Sequence, residues 1–202
     1  MSLFRTLTDK SWEHQGSDTH FSKTRTAAPE RIALRFFLGV VGVMFALFIT
    51  AYFIRMDLED WRPMPDSLLV WINTLILFIS SVTLQWTRRM LDRGQRDKVK
   101  SGLLAGGILS VGFIFGQLTV WQEMTGAGYY LDTNPANAFF YVLTGLHGIH
   151  LLGGLWVWTR ASFKVWFGAD VEEIRLSVEL CTVYWHFLLL VWLVLFALLA
   201  ST

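Results

Sequence analysis

The stretch SVELCTVYWHFLLLVWLVLFALL (Ser177–Leu199) holds one charged residue, Glu179, in a run long enough to cross a lipid bilayer. A hydrocarbon core roughly 30 Å thick needs about 20 apolar residues at 1.5 Å rise per residue. Four more stretches meet that requirement: Arg35 to Ile54, Leu68 to Trp86, Leu103 to Trp121, and Ala136 to Trp158. None alternates with the dyad period of an outer-membrane strand. The glycines of the third and fourth do not argue otherwise, because in lipid the backbone must satisfy its own hydrogen bonds. The sequence therefore predicts an all-α, polytopic membrane protein. It reads as one domain, 35–202, of five transmembrane helices (about 35–54, 68–86, 103–121, 136–158 and 177–199) behind a polar N-terminal tail, 1–34.

Composition agrees with that reading. The 202 residues are 53% hydrophobic and only 16% charged, against about a quarter charged in a soluble domain. A formal net charge of +1 supplies no field for nucleic acid or an acidic substrate. The single cysteine, Cys181, excludes a disulfide scaffold and any CxxC pair. No short apolar core follows a basic start, so no cleavable signal is expected. Pro29 and Glu30 mark the expected entry to the first helix. Of the 17 Lys and Arg, all but Arg55 and Arg62 fall in the tail and first helix start, the second connection or the fourth. The excess of positive charge predicts an N-terminus inside and a C-terminus outside. The acidic connection around Asp57, Glu59 and Asp60 would then face water outside.

Polar groups at membrane depth are costly and usually turn inward. In the second segment Asn73, Ser80, Thr83 and Thr87 share one helical face by spacing. The third has the GxxxG pairs Gly102/Gly106 and Gly112/Gly116, with Gln117 beyond, which read as helix packing. The fourth carries Thr144, His147 and His150 before Gly153 and Gly154; the fifth carries Glu179, Thr182 and His186. Adjacent helices could bring these last two faces together. Three readings compete: interhelical hydrogen bonds that fix register, a metal or haem site, and a proton relay. No HExxH or ExxH motif supplies a di-metal centre, and no second histidine pair supplies a two-haem site. The ligand set is thus incomplete, while the relay stays open. Glu179 is expected either near the inner interface or paired with Arg175 or a partner chain. Most of the ten tryptophans read as interfacial belts, whereas Trp185 and Trp192 read as packing against a neighbouring helix.

The stretch FFYVLTGLHGIHLLGG (Phe139–Gly154), which includes Gly145, resembles the signature helix of subunit III of haem–copper terminal oxidases. YWHFLLLVWLVLF (Tyr184–Phe196) resembles the family's last helix, with Glu179 at the family's spacing before His186. NTLILFISSVT (Asn73–Thr83) is similar to the family's Asn-Thr…Ser-Ser-x-Thr pattern, here Asn73, Thr74, Ser80, Ser81 and Thr83. Gln117 matches the family's glutamine. The four motifs stand in family order, and five-helix members are typical of many prokaryotic oxidases, quinol oxidases among them. The resemblance implies a redox-inactive accessory chain of the cytoplasmic membrane, without haem, copper or other metal of its own. It would dock on catalytic subunit I, which holds haem and copper, in a complex with subunit II. There it would stabilise the complex, support the proton-uptake side and bind phospholipid, and it implies no catalytic residue in this chain. The motif residues, with Trp185 and Trp192, are then expected to form a polar seam among the last helices.

Three family acids are missing. The stretch LGVVGVMFALF (Leu38–Phe48) has none, Leu189 replaces an aspartate, and Val120 replaces a glutamate. These departures keep open a subunit-III-like accessory protein of nitric oxide reductase. A small membrane transporter or a metal-binding membrane enzyme is the reading from a different class, although no inverted repeat or broken helix of the transporter kind is evident.

Overall fold

The computed structural model describes residues 19–62, 67–168 and 171–201; of 19–28 it describes the helical backbone alone. The tail residues Arg5, Lys10, Trp12 and His14 lie outside the described residues. Five helices follow one another: α1 (Thr19–Met56), α2 (Leu68–Asp92), α3 (Arg96–Gly126), α4 (Pro135–Trp166) and α5 (Val171–Ala200). Each contains a span long and apolar enough to cross a membrane, and the described residues contain no strand.

Every helix outruns its hydropathic segment. Hydropathy sees the part solvated by lipid, whereas the helical hydrogen-bond ladder continues into the headgroup zone, where charged side chains can stand. So α2 continues through Arg88, Arg89 and Asp92, and α3 already begins at Arg96. The largest extension is in α1, which starts at Thr19 and runs through Pro29. Proline removes one ladder bond, and water near the membrane surface can satisfy the carbonyl it frees. The membrane span of α1 is Pro29–Met56.

Helix ends follow from local chemistry. The side chain of Ser67 accepts from Leu69 N (3.2 Å) and starts α2. Asn134 accepts from Ala136 N (3.2 Å), with Pro135 at the first helical position of α4. Asn134 Nδ2 also donates to the Arg62 carbonyl at 2.6 Å, tying the first connection to the start of α4. Gly94, with φ of 73°, makes the tight turn between α2 and α3.

α5 lies at the centre. It packs on α1, α2 and α4, while α2 and α3 approach most closely of all. The close approach needs small residues: a Cβ on Gly102 would strike Thr87, one on Gly106 would strike Leu84, and one on Gly116 would strike Asn73. Gly112, the partner of Gly116 in its GxxxG pair, faces open space. Trp185, Leu188, Trp192 and Leu195 of α5 are buried, together with Phe113, Leu143, Leu151 and Leu77 from the surrounding helices.

Candidate functional site

Polar side chains at membrane depth meet across nearly every helix boundary of the bundle. Between α2 and α3, Asn73 Nδ2 donates to Gln117 Oε1 at 3.2 Å, and Ser80 Oγ donates to the Gly106 carbonyl at 3.0 Å. Ser80 and Ser110 hydroxyls lie 2.8 Å apart. From α5 the Trp185 indole donates to Ser110 (2.9 Å), and the Trp192 indole donates to Thr74 (2.9 Å). Between α3 and α4 the Trp121 indole donates to Thr144 at 3.1 Å, and the Trp158 indole donates to the Leu103 carbonyl at 3.0 Å. All these bonds join neutral groups, which avoids the cost of bringing a charge into hydrocarbon.

The two histidine faces do not converge. His186 of α5 turns to α2, with Nδ1 against Ser81 Oγ and Nε2 3.1 Å from Gln85 Oε1. An amide oxygen can only accept, so Nε2 carries the proton and Nδ1 accepts from the serine. His147 of α4 is fully buried, and neither ring nitrogen has a hydrogen-bond partner among the described residues. Its ring packs edge-to-face with Phe113 (centroids 5.7 Å apart) and tilted against Trp192 (5.0 Å). His150 gives Nδ1 to its own helix, at the Leu146 carbonyl (2.7 Å), and packs on Phe45 (5.6 Å) from the acid-free stretch of α1. Its backbone carbonyl accepts from Tyr184 of α5 at 2.8 Å. That approach passes over Gly154, where a Cβ would strike the tyrosine ring. Gly145 sits beside Trp121, and the Thr83 hydroxyl donates to its own helix at the Ile79 carbonyl.

Glu179 does not pair with Arg175, one of the expected alternatives. Its partners are Arg31 of α1, at 2.9 Å, and Arg88 of α2, at 3.7 Å. Arg175 pairs instead with Asp92 of α2 at 2.8 Å. On α5 a carboxylate at 179 and a guanidinium at 175 are one turn apart, and each finds a better partner across a helix boundary. Among the described residues no group of three or more His, Cys, Asp or Glu is placed to hold a metal ion. The expected residues are therefore spread over several pairwise contacts rather than gathered in one seam. Ser110, Gln85, Arg31, Arg88 and the interior side of Trp121 and Trp158 escaped the sequence reading. Ser110 does stand between the two GxxxG pairs, and the tryptophans looked like belt residues because Trp121 and Trp158 close the apolar segments, which the helices outrun.

The family model described as Cytochrome c oxidase subunit III matches residues 31–200, which includes four membrane spans whole and all but the first two residues of the first. The chain belongs to the cytochrome c oxidase subunit III family. It is 27% identical to "Quinol oxidase subunit 3" of Bacillus subtilis over 164 residues, covering 79% of this chain and 80% of the relative. It is 28% identical to "Cytochrome c oxidase subunit 3" of Thermostichus vulcanus over 179 residues, covering 83% and 85%. The same family name is carried by a Yarrowia lipolytica relative, 27% identical over 125 residues, of which the match covers only 46%. Membership in the subunit III family makes the chain an integral membrane protein that forms a complex with other subunits.

Proposed function

We propose that this chain is the redox-inactive accessory subunit III of a respiratory haem–copper oxidase in a prokaryotic cytoplasmic membrane, with its N-terminus inside. Its task is to hold catalytic subunit I in its working form and to support the proton-uptake side of the complex, with bound phospholipid. The observation that carries this reading is the family match across residues 31–200, which reaches into every membrane helix. The contact pattern fits an accessory role, because its buried polar groups are spent on helix-to-helix bonds or on packing. Haem and copper then belong to the partner subunits, and oxygen reduction belongs to the whole complex.

The test is purification of the chain in mild detergent with mass-spectrometric identification of what accompanies it. Recovery of an oxidase subunit I, with a copper-binding or quinol-type subunit II, is expected and names the electron donor. Recovery of a nitric oxide reductase would replace the oxidase by the other complex. Stoichiometric haem, copper or iron on the isolated chain would overturn the redox-inactive reading. Separate replacement of His147 and Glu179 by apolar residues is expected to lower the yield of assembled complex; normal yield with slowed proton uptake would favour a relay.

A further inference from the structure

On the side of the bundle where α3 begins and α4 ends, Leu104 of α3 and Trp158, Ser162, Phe163, Trp166 and Phe167 at the end of α4 line a pocket of about 400 Å³. That size falls within the range of small-molecule sites, roughly 300–1,000 Å³. Its walls are mainly aromatic. The Trp158 indole already donates to the Leu103 carbonyl at 3.0 Å, and its ring lies against Gly107, where a Cβ would strike it, so this wall is fixed. Phe163 and Phe167 stack, with centroids 5.7 Å apart and planes 14° from parallel. Phe163, Trp166 and Phe167 are all exposed within the chain. The polar group of the pocket is anomalous. Every other serine and threonine whose side chain is described has a hydrogen-bond partner. Thr159, on the same wall, returns its hydroxyl to the Leu155 carbonyl one turn back, at 2.7 Å. Ser162 Oγ is buried and has no partner among the described residues, not even the Trp158 carbonyl one turn back.

These two features select an occupant. Aromatic walls favour a flat ring that can stack on them or meet them edge-on. An unpaired hydroxyl away from water calls for an acceptor oxygen, which an alkyl chain lacks. Ser162 lies within the membrane span of α4, and the rest of the lining is apolar, so the occupant must also be soluble in lipid. A flat ring with carbonyl oxygens on its edge and an apolar tail is a membrane quinone. We propose that this pocket binds a membrane quinone, its ring among Trp158, Phe163, Trp166 and Phe167 and one carbonyl oxygen accepting from Ser162 Oγ. Rotation about χ1 brings the serine hydroxyl to the ring edge. The site binds and stores the quinone; no electron passes to or from this chain. No residue of α1, α2 or α5 lines the pocket, so it is separate from the contacts of α5 described above. The proposal goes beyond the subunit III reading and holds whether cytochrome c or quinol feeds the complex.

The test is photolabelling of the purified complex with an azidoquinone carrying a decyl tail, followed by mass-spectrometric mapping of the labelled peptides. Label is expected on residues 158–167, and excess decylubiquinone should suppress it there while phosphatidylglycerol should not. Ser162→Ala should weaken the affinity at this segment about fivefold, the loss of one neutral hydrogen bond. The same variant should leave the thermal stability of the quinone-free complex unchanged, because the hydroxyl has no partner among the described residues. Trp166→Leu removes an exposed ring from the wall and should weaken binding by a similar factor. Absence of label from residues 158–167 would overturn the proposal. So would suppression by phosphatidylglycerol, which would indicate a lipid site, or unchanged affinity in both variants. In each of these cases subunit I still co-purifying would leave the subunit III reading intact.

Discussion

The first turns of α5 meet their neighbours through charge: Glu179 with Arg31 and Arg88, and Arg175 with Asp92. From Trp185 onward the same helix uses neutral donors, the indoles of Trp185 and Trp192, each buried and each bonded to a hydroxyl on another helix. The switch follows the solvent. At the boundary, water and headgroups lower the cost of a bare charge, so ion pairs form there but contribute little. In hydrocarbon a charge is expensive, while a large aromatic ring with one N–H fills space and satisfies its single polar atom. One helix thus joins a soft, exchangeable end to a rigid middle, and the soft end is where a ligand or partner can enter.

Substitutions can break this contrast, and the largest effect belongs to the middle. Trp192→Ala removes a buried indole that touches Phe113, His147 and Thr74. The expected loss is about 3–5 kcal/mol, read as a drop in thermal stability in detergent. Next comes Gly116→Ala, whose Cβ would strike Asn73 and disturb its bond to Gln117. It should cost about 1–3 kcal/mol, while Gly112→Ala in the same GxxxG pair should be close to neutral. Equal effects at both glycines would show that the motif, and not the contact with α2, sets the packing. Ser81→Ala removes the hydroxyl facing His186 and should cost about 1 kcal/mol. At the soft end, Arg31→Gln should cost less than about 1 kcal/mol, and the cost should shrink further in high salt. A large, salt-independent loss there would erase the contrast.

The smallest effect is expected outside the membrane. Asp60 in the first connection is held below its ordinary value of 3.8 by the hydrogen bonds from Arg55, opposed in part by burial. A depressed carboxylate contributes above its ordinary pKa, and that contribution is lost as pH falls through the lower folded value. Its carbon-13 carboxyl signal should therefore titrate below 3.8, and Asp60→Asn should leave assembly at neutral pH unchanged.

How much was legible depended on whether the information is local. The number of membrane helices could be read directly, because transfer to lipid is a property of each residue and adds along a span. The motif residues were legible as a resemblance, in Asn73–Thr83, Gln117, Phe139–Gly154 and Glu179–Phe196. The true helix ends were less so: Arg88 to Asp92 look like a connection by hydropathy, yet the backbone ladder carries them as helix.

Spacing placed Glu179 and His186 on one face of α5, and placed His147 on a face of α4, without saying which neighbour each face would meet. That depends on how every helix rotates about its axis, which is set by close approaches such as Gly102, Gly106 and Gly116 against α2. So α5 turns His186 to Ser81 and Gln85 rather than to the α4 histidines, and Glu179 finds Arg31, a residue 148 positions away, rather than Arg175 one turn along its own helix. The sequence by itself determined that the chain lives in a membrane and how many times it crosses, because lipid solvation is summed residue by residue. Only the tertiary structure decided which polar groups meet, because that is fixed by the packing of all the helices together.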